Sequence, residues 1–267
     1  MHFFGKIINI LDSKMETPAS YGWFHLLFFV LAIFSGIVLI KVFKKPNKKT
    51  VRKILLTVSL AVLILEIYKQ INYTFEYDGV KISADYQWYA FPFQFCSTPM
   101  YIGLLAALIK KDKIHNALCS YLATFALFAG LCVMFYPGDV FVRTIGINVQ
   151  TMICHGSMLT LGIFLLGSGY VKSENKTLLK GACVFAICVC LAMIMNEIAH
   201  FSGLEETFNM FFISPHQEPS LPVYSIVQKY VPFPLCTIIY IGAFTLASYI
   251  ILLISMLTKR SRKTAKK

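Results

Sequence analysis

The chain has 267 residues, of which 57% are apolar and only 14% charged, with 23 phenylalanines and a mean hydropathy of +0.66. A soluble domain of this length needs more charge to cover its surface, so a soluble globule, a disordered chain and a fibrous repeat are excluded in favour of a polytopic membrane protein. The net charge of +12 brings nucleic acid to mind, but no basic–aromatic stripe accompanies it, so no nucleic-acid partner is expected.

In chain order, residues 1–20 set Phe3, Phe4, Ile7, Ile8, Ile10 and Leu11 among Lys6, Asp12 and Lys14. A cleavable leader would put its charge ahead of the apolar run, so this pattern predicts a short interfacial helix. Seven runs then reach the roughly 20 residues needed to cross a bilayer. They lie near 21–43, 54–74, 88–109, 115–136, 147–171, 178–200 and 231–257. The fold class expected is all-α, a seven-transmembrane-helix bundle over 21–257, with an interfacial segment at 1–20 and a basic tail at 258–267.

The connections sort by charge. Lys44, Lys45, Lys48, Lys49, Arg52 and Lys53 fall on one side with Lys110, Lys111, Lys113, Lys172, Lys176, Lys180 and the tail Lys259, Arg260, Arg262, Lys263, Lys266 and Lys267. The other side has only Lys81, Arg143 and Lys229, with the acids Glu76, Asp78, Asp85, Asp139, Glu205, Glu206 and Glu218. The positive-inside rule then puts the N-terminus outside and the C-terminus in the cytoplasm, with anionic inner-leaflet lipids as partners of the basic loops. The eight cysteines show no zinc-type spacing with histidine, so neither a metal site nor a disulfide framework is expected. The long 201–230 connection carries the apolar block Phe208-Asn209-Met210-Phe211-Phe212-Ile213. It reads equally as a lid that re-enters the membrane and as a loose loop with one anchor.

Ionisable and amide side chains at membrane depth are costly, and they mark where function is sought. The second run holds Glu66 and Lys69 on one helical face, with Gln70 beside them. The third holds Gln94, Cys96, Ser97 and Thr98 between Pro92 and Pro99, the fifth holds Asn148, Thr151 and His155, and the sixth ends with Asn196, Glu197 and His200. Glu66, Cys96 and His155 all fall about eight residues inside the outer ends of their runs, roughly 12 Å deep. Cys96 is the candidate nucleophile, because Pro99 should leave the Phe95 carbonyl unpaired and bend the helix beside the thiol. His155 is its candidate base. Glu66, Asn196 or Gln94 would hold the imidazole or contact an oxyanion, and Lys69 would pair with Glu66 or bind a headgroup phosphate. Each residue also has a plainer reading: Cys96 as packing, His155 as a hydrogen-bonded bundle residue, Glu66 and Lys69 as a structural ion pair. The pattern alone leaves an intramembrane enzyme, a solute carrier and a sensor open.

The segment Phe91-Pro92-Phe93-Gln94-Phe95-Cys96-Ser97-Thr98-Pro99-Met100-Tyr101 resembles the signature of YwaF-like integral membrane proteins, which are related to animal transmembrane protein 164. His25-Leu26, Glu66-Ile67-Tyr68-Lys69, His155-Gly156, Asn209-Met210-Phe211-Phe212, Ser220-Leu221-Pro222 and Val231-Pro232-Phe233-Pro234 extend the likeness along the chain in the same order. The resemblance implies a seven-helix acyltransferase of the cell membrane, of bacterial character, working without a cofactor. It would act on a phospholipid donor and a lysolipid acceptor through an acyl-cysteine, with Cys96 and His155 in the catalytic positions and Asn209 among the supporting ones. The chain departs from the pattern in a shortened, proline-rich 214–222 connection and in Phe212, where leucine is usual. The rival reading is a transporter or substrate-binding component that uses Glu66, Lys69 and His155.

Overall fold

Backbone polar groups in hydrocarbon must be satisfied inside the protein, so apolar runs of this length fold as helices. The computed structural model describes residues 2–138, 140–204, 207–217 and 221–264. Asp139, Glu205, Glu206, Glu218, Ser220, Lys266 and Lys267, named above, lie outside the described residues. The first helix, α1 (His2–Leu11), turns Phe3, Phe4 and Ile10 outward, as an interfacial helix does. It presses Gly5 on Tyr77 of a small hairpin, β1 (Phe75–Tyr77) with β2 (Ile82–Ala84). The hairpin turn is made by Gly79 at φ +96° and by Asp78, whose Oδ1 accepts from the Val80 and Lys81 N–H groups. Those two bonds hold the Asp78 carboxyl below its ordinary range.

Among the described residues six helices are long and apolar enough to cross a membrane. They are α2 (Trp23–Val42), α3 (Lys48–Asn72), α5 (Asp112–Tyr121) continued through a π turn (Leu122–Ala126) into α6 (Leu127–Phe135), α7 (Ile145–Gly167), α8 (Asn175–Phe201) and α10 (Leu235–Thr264). The run 88–109 is different. It gives a 3-10 turn at Trp88–Ala90, irregular backbone over 91–97, and only an 11-residue helix, α4 (Thr98–Leu108).

The prolines explain this departure from seven full helices. Pro92 disfavours helix at Phe91, and Pro99 occupies the first turn of α4, where its missing N–H is no loss. Pro99 therefore starts a helix instead of bending one. The Phe95 carbonyl keeps a partner too, accepting from the Thr98 hydroxyl at 3.0 Å. The other end of α4 is capped by side chains: Arg52 donates to the Ala107 and Leu108 carbonyls, and His115 Nδ1 to Ala106 O at 2.7 Å. Lys48 reaches Lys110 and Asp112, so by the start of α5 the chain has returned to the lysine-rich end of the bundle.

Burial identifies the centre. The most apolar windows of α5–α6 and α7 are 72% buried, against 22% for α2, α3 and α10. Helices in lipid associate by close packing across small residues, and Gly130 on α6 and Gly162 on α7 provide such contacts. A Cβ at Gly130 would lie 2.9 Å from the His155 carbonyl oxygen and 3.0 Å from the Leu159 nitrogen. A short helix, α9 (Pro222–Tyr230), precedes α10 at the α1 end.

Gly130→Ala should lower the melting temperature of the detergent-solubilised protein, because the methyl meets backbone that cannot step aside. Gly242→Ala, where a Cβ meets nothing within 4 Å, should leave it unchanged or slightly raise it. Equal melting temperatures for the two variants would contradict the close α6–α7 contact.

Candidate active site

The imidazole of His155 is the best-defined element. Its Nδ1 lies 2.8 Å from the Thr151 carbonyl oxygen, one turn back on α7. A carbonyl only accepts, so Nδ1 carries the proton and Nε2 keeps its lone pair. Cys96, just ahead of α4, lies close to this imidazole. His155 is buried and Cys96 partly so, and Cys154 reaches the Cys96 carbonyl at 3.5 Å. All eight cysteines are free thiols.

Beside the pair, Cys96, Pro99, Cys154 and Ser157 line a cavity of about 10 Å³, room for roughly one water. Leu122 and Ala126 of the π turn close its far wall. Val58, Val62 and Ser157 line both this cavity and a cleft of about 660 Å³ between α2, α3 and α7. The cleft is largely apolar and reaches Leu31 and Phe34, which are exposed on the face a membrane would cover.

Glu66 lies near the pair, buried at 3% exposure. Its Oε1 accepts from Lys69 Nζ and from Gln70 Nε2, both at 2.7 Å, and its Oε2 accepts from Gln150 Nε2 at 3.0 Å. Gln70 is fixed in turn, donating to the Ala90 carbonyl and accepting from the Tyr86 hydroxyl at 2.6 Å. Burial, with the Glu66 charge adding to it, pushes Tyr86 up to about 12, so this hydroxyl stays a donor. Lys69 and Glu66 both lie near Cys96.

Gln94, Asn196 and Asn209 serve elsewhere. Gln94 donates to the Asn209 carbonyl and accepts from the Phe211 N–H, both at 2.9 Å. Asn196 donates to the Met210 carbonyl at 3.0 Å and accepts from its N–H at 2.7 Å. The Asn209 side chain accepts from the Ser214 N–H. These three amides pin down the irregular segment 207–214, whose Phe208, Met210, Phe211 and Ile213 are buried. The sequence leads one to expect them as imidazole holders or substrate ligands; the bonds found here engage both ends of the Gln94 and Asn196 amides with backbone. The imidazole is oriented by the Thr151 carbonyl, and Glu66 accepts from Lys69, Gln70 and Gln150. The same contacts decide between lid and loose loop, because 207–214 is a packed wedge.

Other polar residues lie apart from the pair. Glu197 meets His216 at 3.1 Å, and His216 stacks on His200 with ring centroids 3.7 Å apart. Asn148 binds both backbone groups of Val142. His25 uses both ring nitrogens to tie Tyr21 to Met134. Among the described residues no three of His, Cys, Asp and Glu converge as ligands for a metal. Gln150 escaped the sequence reading. It stands one residue off the Asn148–Thr151–His155 stripe, and its partner Glu66 is on another helix.

Six helices long and apolar enough to cross a membrane, with the half-length α4 packed against α3 and α5, define a polytopic α-helical membrane protein. The model of the TMEM164 family matches residues 19–254, and the chain belongs to that family. No curated protein and no solved structure matches it.

Asn196→Ala leaves the Met210 N–H unpaired where water is scarce, at about 1–3 kcal/mol for a buried group, and leaves its carbonyl only the long 3.5 Å contact with the Ile213 N–H. Limited proteolysis should then cut within 207–217 much faster than in the parent, with a lowered melting temperature. Unchanged cleavage would show that the wedge does not depend on this amide.

Proposed function

We propose that this protein is an integral membrane acyltransferase that moves a fatty acyl group between glycerophospholipids through an acyl-cysteine at Cys96. The observation that carries the reading is the pairing of Cys96 with an imidazole whose tautomer is fixed by Thr151, so that the free Nε2 is the atom left to face the thiol. In the first half-reaction Nε2 takes the thiol proton and the sulfur attacks the ester carbonyl carbon. As the bond from that carbon to the glycerol oxygen breaks, His155 returns the proton to the leaving oxygen. In the second half-reaction a lysolipid hydroxyl attacks the thioester. His155 takes the hydroxyl proton and passes it to the departing sulfur, which restores the thiol.

The apolar cleft supports this reading, because it offers a path from the lipid-facing surface to the wall of the Cys96 cavity. With the N-terminus outside, the pair sits in the outer half of the cell membrane and both lipids reach it sideways. A solute-carrier reading has less support. The carboxylate it would use, Glu66, already has both oxygens occupied by protein donors.

Purified protein incubated with acyl-labelled phospholipid should acquire label that hydroxylamine removes, and Cys96→Ala should abolish it. His155→Ala should slow labelling by roughly 10²- to 10⁴-fold, the range of general-base catalysis. Undiminished hydroxylamine-sensitive label in Cys96→Ala would refute the assignment. A bulky Ser157→Trp in the wall shared by cleft and cavity should block labelling by long-chain donors while leaving Cys96 in place.

A further inference from the structure

We propose that Lys69 binds the headgroup phosphate of the acyl donor and so selects phospholipids over neutral esters, a role that rests on the acyl-transfer reading above. The first ground is its hydrogen bonding. Glu66 is held by two amide donors, Gln70 and Gln150, in addition to Lys69. An ammonium group has three donors, and among the described residues the only partner of Lys69 is Glu66. Its side chain keeps 15% of its surface exposed. It is therefore a cation with donors to spare that a ligand can reach.

The second ground is its level along α3, which serves as a ruler. Thr57, Val58, Ala61 and Val62 line the apolar cleft, and Val58 and Val62 also line the Cys96 cavity. Lys69 lies about two helical turns beyond Val62, toward the opposite end of the bundle. On α3 the apolar cleft and the Cys96 cavity thus share the level of Val58 and Val62, and the cation lies about two turns farther along. A glycerophospholipid likewise has its acyl tail and ester carbonyl adjoining, with the phosphate a few bonds of glycerol beyond. A donor lying along α3 with its tail in the cleft would present its ester to Cys96 and its phosphate to Lys69. Phosphate on ammonium is a charge-assisted contact, stronger than a neutral hydrogen bond.

The test uses the full chain in detergent micelles with two acyl-labelled probes, dioleoylphosphatidylglycerol and the neutral dioleoylglycerol. Hydroxylamine-sensitive label is read against donor concentration. Lys69→Gln should raise the phospholipid concentration for half-maximal labelling about tenfold or more, as expected for a lost charge-assisted contact. It should leave labelling by dioleoylglycerol within about twofold, and Lys69→Arg should restore most of the loss. The double variant Glu66→Gln with Lys69→Gln removes any effect of an unpaired carboxylate and should match Lys69→Gln. Inorganic phosphate should not protect against labelling; competition by phosphate alone would indicate a free-phosphate site and overturn the headgroup role. Equal loss with both donors, or no loss with either, overturns the phosphate role alone. Wild-type protein that takes label from neither donor overturns the acyl-transfer reading and this role with it.

Discussion

Backbone that leaves the helical path at membrane depth must find its hydrogen bonds in the protein, because lipid offers none. Two stretches do so here, 91–97 and 207–214, and a side chain of the first helps to satisfy the backbone of the second. Gln94 from the first stretch binds Asn209 and Phe211 of the second, Asn196 from α8 binds Met210, and Asn209 binds Ser214. Aromatic contacts seal the pairing, with Phe91 against Phe208 and both Phe93 and Phe95 against Phe211. The wedge holds Phe211 and Phe212 in the left-handed region, at φ 58° and 57°. That conformation costs roughly 1–2 kcal/mol per residue, offset by the amide bonds and by burial of the rings. This arrangement lets Cys96 stand outside a helix, beside the first turn of α4, at a level that α7 can meet with His155.

The pairing of thiol and imidazole follows from that placement. His155 needs no carboxylate to set its tautomer, since the Thr151 carbonyl is always an acceptor and lies one turn away on the same helix. Gly130 brings α6 against the His155 backbone, and the π turn at Leu122–Ala126 contributes to the cavity wall. A π turn shifts the register of the side chains that follow it, and such turns often border functional sites. Glu66 and its donors tie α3 to α7 around the same point. The Cys96 sulfur, the His155 imidazole and the Lys69 ammonium therefore occupy one region framed by α3, α4, α6 and α7.

Much of this was legible in the residues. Hydropathy located the six long helices, and depth along each run brought Glu66, Cys96 and His155 to one level. Counting depth at a fixed rise per residue applies to Glu66 and His155, which stand on α3 and α7, and not to Cys96, which stands on irregular backbone. It failed over 88–109, where hydropathy registers that the residues are apolar but not that Pro92 and Pro99 forbid a continuous helix. The backbone partners of Gln94 and Asn196 were not legible for a related reason. An amide at depth signals that some polar group needs a partner, and sequence does not say whether that group is substrate or the chain's own backbone. Gln150 was missed because its partner comes from another helix, which no spacing along α7 records.

The central claim is that His155 makes Cys96 the reactive thiol of this chain. A lipid-soluble methanethiosulfonate, with modification followed peptide by peptide, tests it without any assumption about substrate. Cys96 should react much faster in the wild type than in His155→Ala, while the exposed Cys132, Cys183 and Cys190 react at the same rate in both proteins. A Cys96 rate that does not change when the imidazole is removed would contradict the claim.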